Sequence, residues 1–475
     1  MGEKFYITTP IYYINDRPHI GHAYTTIVAD ALSRFYAHEG KKVAFVAGTD
    51  ENGQKTVDAA RKGGESTAAY ADRLAEIWKT TWRALGIANT DFIRTTEMRH
   101  RETVVEIWRR IWNSGDIYRG RYEGLYCRGH EAFLKESDLI DGECPEHKQK
   151  PELVSEENYF FRLSKYEKPL LELYEKNPEF IVPRSRYNEV RSFVRSGLED
   201  LSISRESRNW GIPVPDDPSQ VIYVWFDALI NYVSAVGLHG WEAHPADIHA
   251  IGKDIVRFHA VIWPAMLLSA KLPLPGQVAA NGFLTIDGVK ISKTLGNAVD
   301  PVGLARRYGT DALRYYLLRE VPYGEDGDFS LEKFRERYNA DLANGLGNFS
   351  ARVLALGEKL GKSSIRELDA SAVERIEAAH KTVREKIRQF RFHEVLIAVW
   401  ELIAFGDVYI NFKRPWEKTD PQAICTLVAI LDNVAAMVKP LLPDTSLRIT
   451  KSIRWVSNSA FVVEKSDALF PRIAD

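Results

Sequence analysis

The segment Pro18-His19-Ile20-Gly21-His22 places imidazoles on both sides of a glycine, between an alternating run, Lys4 to Thr9, that ends at Pro10 and a helical pattern, Ala23 to Tyr36. Imidazole N–H groups donate to phosphate oxygens, glycine lets a ligand approach the backbone, and a helix amino terminus favours negative charge. The chemistry on offer is nucleotide-phosphate binding, although by residue type alone the pair could equally cap the helix. A second cationic cluster, Lys290-Ile291-Ser292-Lys293-Thr294 followed by Leu295-Gly296-Asn297, lies on a loop expected after a strand from Phe283 to Ile286. Two lysines flanking a hydroxyl suit a transferring phosphate, whose transition state needs positioning and charge stabilisation. Taken alone, a solvated lysine loop is the plainer reading. Finally, Cys127-x-x-His130 and Cys144-x-x-His147 are two ligand pairs thirteen residues apart. Four such donors can close a structural tetrahedron around Zn²⁺, with no open position for catalysis; the competing reading is a degenerate knuckle that has lost its metal.

The elements that must hold these side chains follow from periodicity. Lys4 to Thr9 and Lys42 to Ala47, the latter closing on Gly48-Thr49-Asp50, read as strands; Ala23 to Tyr36 and Ala68 to Leu85 read as helices. The repeated strand–helix unit predicts a parallel sheet with helices on its faces. From about Gly115 to Gln220 the runs are short and punctuated by Gly and Pro, without that rhythm, which marks an insertion. The rhythm resumes over Val221 to Val236 and Asp247 to Leu268, with a strand expected at Ile248 to Ile251. Beyond about Arg335 helical periodicity runs through Asp341 to Leu360, Ala370 to Gln389, Glu394 to Asn411 and Ile424 to Val438, with no strand signal until the last residues.

The whole-chain numbers bound the answer. A chain of 475 residues is long enough for about three or four domains. With 63 Lys and Arg against 65 Asp and Glu, any contact with nucleic acid must use local basic patches. Lys381 to Arg391 is a candidate for tracking a phosphate backbone, or simply a solvated helix face. Met1 to Pro10 has neither an export signal nor a lipid-anchor signal, and the densest apolar stretch, Ala260 to Ala270, is interrupted by Pro264 and falls short of the roughly 20 residues a membrane helix needs. It reads as a buried helix, and no membrane association is expected. Three cysteines are too few for a disulfide-stapled secreted fold, so a reducing cytoplasm is expected. Neither a Walker loop nor a dinucleotide Gly-x-Gly-x-x-Gly is present, which removes the main support for a kinase or a dehydrogenase.

In this order, with a divided parallel sheet between them, the histidine and lysine motifs resemble the HIGH and KMSKS signatures of class I aminoacyl-tRNA synthetases. Four further blocks resemble the methionyl-tRNA synthetase family: Thr8-Thr9-Pro10-Ile11-Tyr12-Tyr13-Ile14-Asn15, Gly48-Thr49-Asp50-Glu51-Asn52-Gly53, Tyr223-Val224-Trp225-Phe226-Asp227-Ala228, and Ile251-Gly252-Lys253-Asp254-Ile255-Val256-Arg257-Phe258-His259. The resemblance spans essentially the whole chain. It implies an α/β fold, a split Rossmann-type parallel sheet with an inserted connective domain, joined to an all-α anticodon-binding domain. The boundaries expected are 1–114 and 221–285 for the two catalytic halves, 115–220 for the insert with its zinc knuckle, 286–335 for the lysine-loop region and 336–475 for the helical domain.

Carried onto matching positions, the family pattern implies that Asp50 meets a methionine ammonium while Ile11, Tyr13, Trp225, Ala228, Tyr232, Ile255 and His259 line its side-chain pocket. It implies that His19, Gly21, His22, Lys290 and Lys293 hold ATP phosphates, the histidines and lysines doing the catalytic work, and that Gly252 and Asp254 face the adenosine. Asn348, Arg352 and Trp416 would read the anticodon, an amide, a guanidinium and an indole being groups that read and stack splayed bases. Cys127, His130, Cys144 and His147 would hold structural zinc, although relatives with one knuckle usually have Cys where His130 stands. The implied reaction uses ATP with Mg²⁺ to convert L-methionine to its adenylate and then charges the 3′ adenosine of tRNA(Met). A monomer is expected, because the chain ends soon after the helical region at Phe470 to Asp475. Two rivals stand beside this reading. Another class I synthetase would be expected to bring a larger insert or a metal at the amino-acid site, and a noncatalytic tRNA-binding relative would not need both histidines and both lysines.

Overall fold

The computed structural model describes residues 3–473 apart from 128–131, 135–138, 146–147, 207–209, 292–297, 365–366, 458–459 and 465–466; the side chains of 122, 123, 132, 133, 154, 156, 290, 364 and 457 are also left undescribed. Its centre is a six-stranded sheet, parallel throughout: β1 (Lys4–Tyr13), β2 (Lys42–Asp50), β3 (Asp91–Arg94), β4 (Ile181–Val182), β5 (Ile248–Gly252) and β6 (Gln277–Asn281). The spatial order is β3-β2-β1-β5-β6-β4. β1 is buried on both faces from Phe5 to Pro10, as expected of a central parallel strand covered by helices. The chain runs outward from β1 to β2 and β3, then returns to the other side of β1 with β5. The strand order therefore reverses between β1 and β5, and the crevice beyond their carboxyl ends is where doubly wound sheets take ligands.

The inserted stretch holds more regular structure than its sequence suggests. Its core is a long antiparallel pair, Ile117–Cys127 with Glu152–Phe161, flanked by Ala132–Leu134 and Leu201–Ser202. A smaller antiparallel sheet of Pro213–Val214, Asp217–Ile222 and Ser204–Glu206 lies beside it. β4 also comes from this stretch and adds the far edge of the central sheet, Ile181 and Val182 pairing with Val278 and Ala279. Helices Glu167–Lys176 and Arg184–Arg195 flank β4 and bury Leu170, Tyr174, Val190 and Val194 in the same core as β6. A two-residue strand is too short to show a period, which is why the sequence gives no sign of it.

From Thr310 onward the described residues are mainly helical, with Thr310–Glu320, Asn348–Leu360, Ala370–Arg388, Phe392–Lys413, Pro421–Val438 and Pro443–Ser452 as the principal helices. Three short strands, Ser363–Ser364, Ile453–Ser457 and Ala460–Val463, form a small sheet that the sequence reading anticipates only at its end. Among the described residues Phe392–Lys413 and Pro421–Val438 are the helices long and apolar enough to cross a membrane by length and composition, not the Ala260 to Ala270 segment. Both send side chains, Val395, Val399, Leu427 and Leu431 among them, into the main core.

Candidate active site

Helix α1 (Ile20–His38) follows β1, and its first turn is closed by the two histidines. His19 is the N-cap, in extended conformation; its Nδ1 accepts from Gly21 N at 3.1 Å, while His22 Nδ1 accepts from His19 N at 3.2 Å. This is a capping box built from imidazoles, with the two rings stacked at 3.7 Å between centroids. The two readings of the motif are thus not exclusive. A nitrogen that accepts from an amide carries no proton, so each neutral ring holds its N–H on Nε2, the atom that the cap does not use and that can donate to a phosphate oxygen. Gly21 gives the His19 ring room: a Cβ there would lie a tight 3.0 Å from His19 Cε1. The first-turn amides are largely committed, Ile20 N donating to Val299 O at 3.1 Å and Gly21 N to His19, so anion binding falls to the imidazoles and the helix dipole.

The lysine motif begins on a hairpin, Leu284–Ile286 with Val289–Lys290. Asp287 and Gly288 both have positive φ, 49° and 75°, which is a two-residue I′ turn, and an Asp-Gly pair is its usual sequence signal. The Lys290 side chain and the whole of Lys293 lie outside the described residues. Their flanks do not: Ile291 lines the same cavity as the histidines, and Val299 takes the Ile20 amide. Lys253 turns away, its Nζ at 2.7 Å from both oxygens of Asp326.

That cavity, of about 380 Å³, sits at the reversal point of the sheet. It is lined by Ile11, Tyr13, Asp50, Trp225, Ala228, Tyr232, Ile255 and His259, and also by His19, Gly21, His22, Gly252 and Asp254. Every described side chain of the two expected ligand sets therefore meets in one space of ordinary small-molecule size. Sequence reasoning passed over Asn15, Asp16, Arg17, Thr25, Asn231, Asn281 and Phe283, which also line it; of these only Asn15 falls in a quoted block, and no separate chemical signal marks the others.

The polar groups at the apolar end satisfy one another. His259 Nδ1 lies 2.9 Å from the Ile255 carbonyl, which only accepts, so Nδ1 carries the proton and Nε2 accepts the Tyr232 hydroxyl at 2.6 Å. Burial pushes His259 down to about 4, keeping the ring neutral, and pushes the Tyr232 hydroxyl up. Beneath them His249 accepts from Trp263 Nε1 at 3.2 Å through Nε2 and faces Thr8 Oγ1 at 2.7 Å through Nδ1. Trp225 stacks on Phe258 at 3.9 Å and meets Tyr13 edge-on at 6.0 Å. The result is an uncharged wall of ring faces and aliphatic carbon, with the Asp50 carboxyl at the end of β2 and the histidine cap at the end of β1.

The other predicted residues lie elsewhere. Asn348 and Arg352 share helix Asn348–Leu360, and Arg352 bonds Asp407 at 3.0 Å and Asn411 at 2.7 Å on helix Phe392–Lys413. That helix ends at Arg414 in the left-handed region, φ 45°, and with Pro415 it turns the half-exposed Trp416 back until its ring lies 6.0 Å from the Arg352 guanidinium. Cys127 and Cys144 are both buried; His130 and His147 lie outside the described residues. Among the described residues no group of three His, Cys, Asp or Glu gathers to hold a metal.

A family model described as tRNA synthetases class I (M) matches residues 5–150 and 137–354, and one described as the anticodon-binding domain of tRNA ligase matches 369–468. The methionine–tRNA ligase of Thermotoga maritima is 46% identical over 95% of this chain and 75% of its own length. That of Streptomyces coelicolor is 44% identical over 95% and 90%. A Mycobacterium tuberculosis methionyl-tRNA synthetase solved in complex with methionyl-adenylate superposes with a TM-score of 0.95 at 38% identity, covering 99% of this chain and 100% of that one. With relatives above 40% identity over 95% of its length, and with the histidine cap at the reversal point of a split parallel sheet, the chain belongs to the methionyl-tRNA synthetase family of the class I aminoacyl-tRNA synthetases.

Proposed function

We propose that the cavity activates L-methionine with Mg-ATP and passes the methionyl group to the 3′ adenosine of tRNA(Met). The observation that carries this reading is the convergence of the methionine-type and ATP-type residues on one cavity at the switch point of the sheet. A methionine carboxylate oxygen attacks the α-phosphorus, the bond to pyrophosphate breaks, and a ribose hydroxyl of the tRNA then displaces AMP from the carbonyl. Asp50 meets the ammonium; Ile11, Tyr13, Trp225, Ala228, Tyr232, Ile255 and His259 hold the thioether, a weak acceptor suited to ring faces. His19 and His22, through Nε2–H, and Lys290 and Lys293 stabilise the phosphates, Gly21 admits them, and Gly252 and Asp254 take the adenosine. No side chain serves as a covalent nucleophile. ATP–pyrophosphate exchange should depend on methionine alone among the twenty amino acids; exchange driven by another, or none, refutes the reading.

Asn348, Arg352 and Trp416 form the anticodon-reading face, supported by their shared corner between two helices. The protein works as a cytoplasmic monomer without membrane attachment, so light scattering should give a single-chain mass. Cys127, at the end of the strand Ile117–Cys127, and Cys144 are buried thiols that with His130 and His147 make a zinc-type donor set. When bound, zinc supplies cross-links to a region with little core of its own. Metal analysis should give one zinc per chain, and Cys127→Ser with Cys144→Ser should lower stability; metal-free protein and an indifferent double variant would show a relic.

A further inference from the structure

Two short helices, α2 (Val224–Leu229) and α3 (Asn231–Val236), form one wall of the cavity. Their front carries Trp225, Ala228 and Tyr232. The opposite side carries Asp227 and Ser234, both buried, and each is met by a side chain from the first half of the split sheet. Asn52 Nδ2 donates to Asp227 Oδ2 at 3.1 Å and to the Thr95 carbonyl at 3.3 Å, while the Asn52 amide donates to Asp50 Oδ1 at 3.4 Å. His100 Nδ1 lies 3.0 Å from Ser234 Oγ, and that hydroxyl donates to Ile230 O, so the histidine is the donor and its Nε2 is a bare acceptor. His100 Nε2 and Asp227 Oδ1 face each other at 4.0 Å, and neither has a hydrogen-bond partner, though both residues are fully buried.

We propose that Asp227, held between Asn52 and His100 as a neutral carboxylic acid, is a positioning residue that sets the side-chain wall of the amino-acid pocket against Asp50. Two facing atoms left without partners inside a protein cost free energy unless a proton joins them. An acid proton on Oδ1 supplies that link to His100 Nε2 with a small closing movement. Burial acts in the same sense on both groups, raising Asp227 well above the usual carboxylate range and holding His100 down at about 3. With Asp227 uncharged, Asp50 keeps sole claim on a substrate ammonium from this side. Through Asn52 the Asp50 end of β2 and the Trp225 wall become one unit, although they are 175 residues apart at the Asn52–Asp227 bond. None of these hydrogen bonds involves His19, His22, Gly252 or Asp254, the described residues assigned to phosphate and adenosine.

The inference rests on the methionine-pocket reading, and the experiment separates the two. Exchange kinetics are measured for Trp225→Ala, Asp227→Ala, Asp227→Asn and Asn52→Ala, titrating methionine and ATP separately. Trp225→Ala tests the pocket: an unchanged methionine KM there refutes that reading itself. Asp227→Ala should raise the methionine KM about tenfold or more and leave the ATP KM within twofold. Asp227→Asn should restore most of it, since an amide can donate to His100 Nε2 and accept from Asn52 as the neutral acid does. Should Asp227→Ala not fold, Asn52→Ala removes the same latch and must show the same selective rise. Equal changes in both constants, no change in Asp227→Ala or Asn52→Ala, or an Asp227→Asn variant as impaired as Asp227→Ala overturns the inference, the last because it would mean an ionised carboxylate.

Discussion

On the proposed reading, His19 holds the fold and serves the chemistry through different atoms. Its Nδ1 closes the helix cap and its Nε2 takes no part in that cap, so the two duties can be separated by substitution. Asparagine is a good N-cap whose carbonyl can replace Nδ1, but it has no counterpart to the distant Nε2–H. His19→Asn should therefore keep thermal stability within a degree or two and lower maximal exchange about 10²- to 10³-fold, the range for losing one transition-state donor. Full activity would mean that the ring acts only as a cap. The motif was visible in the sequence; the division of labour was not, because it depends on which nitrogen meets which amide. Tyr232 and His259 make a related point. Their residue types suggest polar contacts to a ligand, yet in the fold the Tyr232 hydroxyl and His259 Nε2 bond each other.

At the scale of elements, periodicity found β1, β2, β5 and the helices expected at Ala23 to Tyr36, Ala68 to Leu85 and along the carboxy-terminal region to within a few residues, since each repeats its pattern over several turns or pairs. It missed β3, β4, β6 and helix Met98–Asn113, and the Asp287-Gly288 hairpin signal went unread although it was present. No periodic signal marks the junction between helix Thr310–Glu320 and the turn before helix Pro443–Ser452. There Arg314, fully buried, pairs with Asp30 of α1 at 2.7 Å and donates to the Leu441 carbonyl at 2.6 Å, while Asp311 accepts from Thr445 N at 2.6 Å. Burial raises Asp311 to about 6. The folded state thus binds this proton more tightly than the unfolded chain, so stability falls as pH rises from about 4 through about 6 and stays reduced above. Asp311→Asn keeps the acceptor without the charge. Its stability relative to the parent, from urea unfolding, should grow from near zero at pH 4 to about 2–3 kcal/mol at pH 7; a pH-independent difference would refute this.

For the molecule as a whole, the cavity and the Arg352–Trp416 corner belong to different parts of the fold, and so should separate functionally. Trp416→Ala should leave tRNA-free exchange intact and reduce charging efficiency by a stacking loss of about 1–3 kcal/mol, roughly 5- to 150-fold. A fall in both activities, or in neither, would contradict the assignment. Whole-chain organisation was legible where motifs and family blocks coincided. It was not legible where chain order and spatial order part company, as when β4 leaves the insert to complete the central sheet.

That same sheet constrains the chain while it is being made. β1 pairs with β5 through Ile7 and Ile248, 241 residues apart, and β6 follows still later. Between Arg94, where β3 ends, and Ile248, where β5 begins, a ribosome adding roughly 5–20 residues per second would present β1, β2 and β3 with one bare, apolar strand edge for about 8–30 seconds. An unpaired edge of that kind is a template for intermolecular pairing. Slowing translation after Arg94 should therefore increase aggregation of the nascent protein, and a chaperone that shields the β1 edge should have its largest effect in that interval.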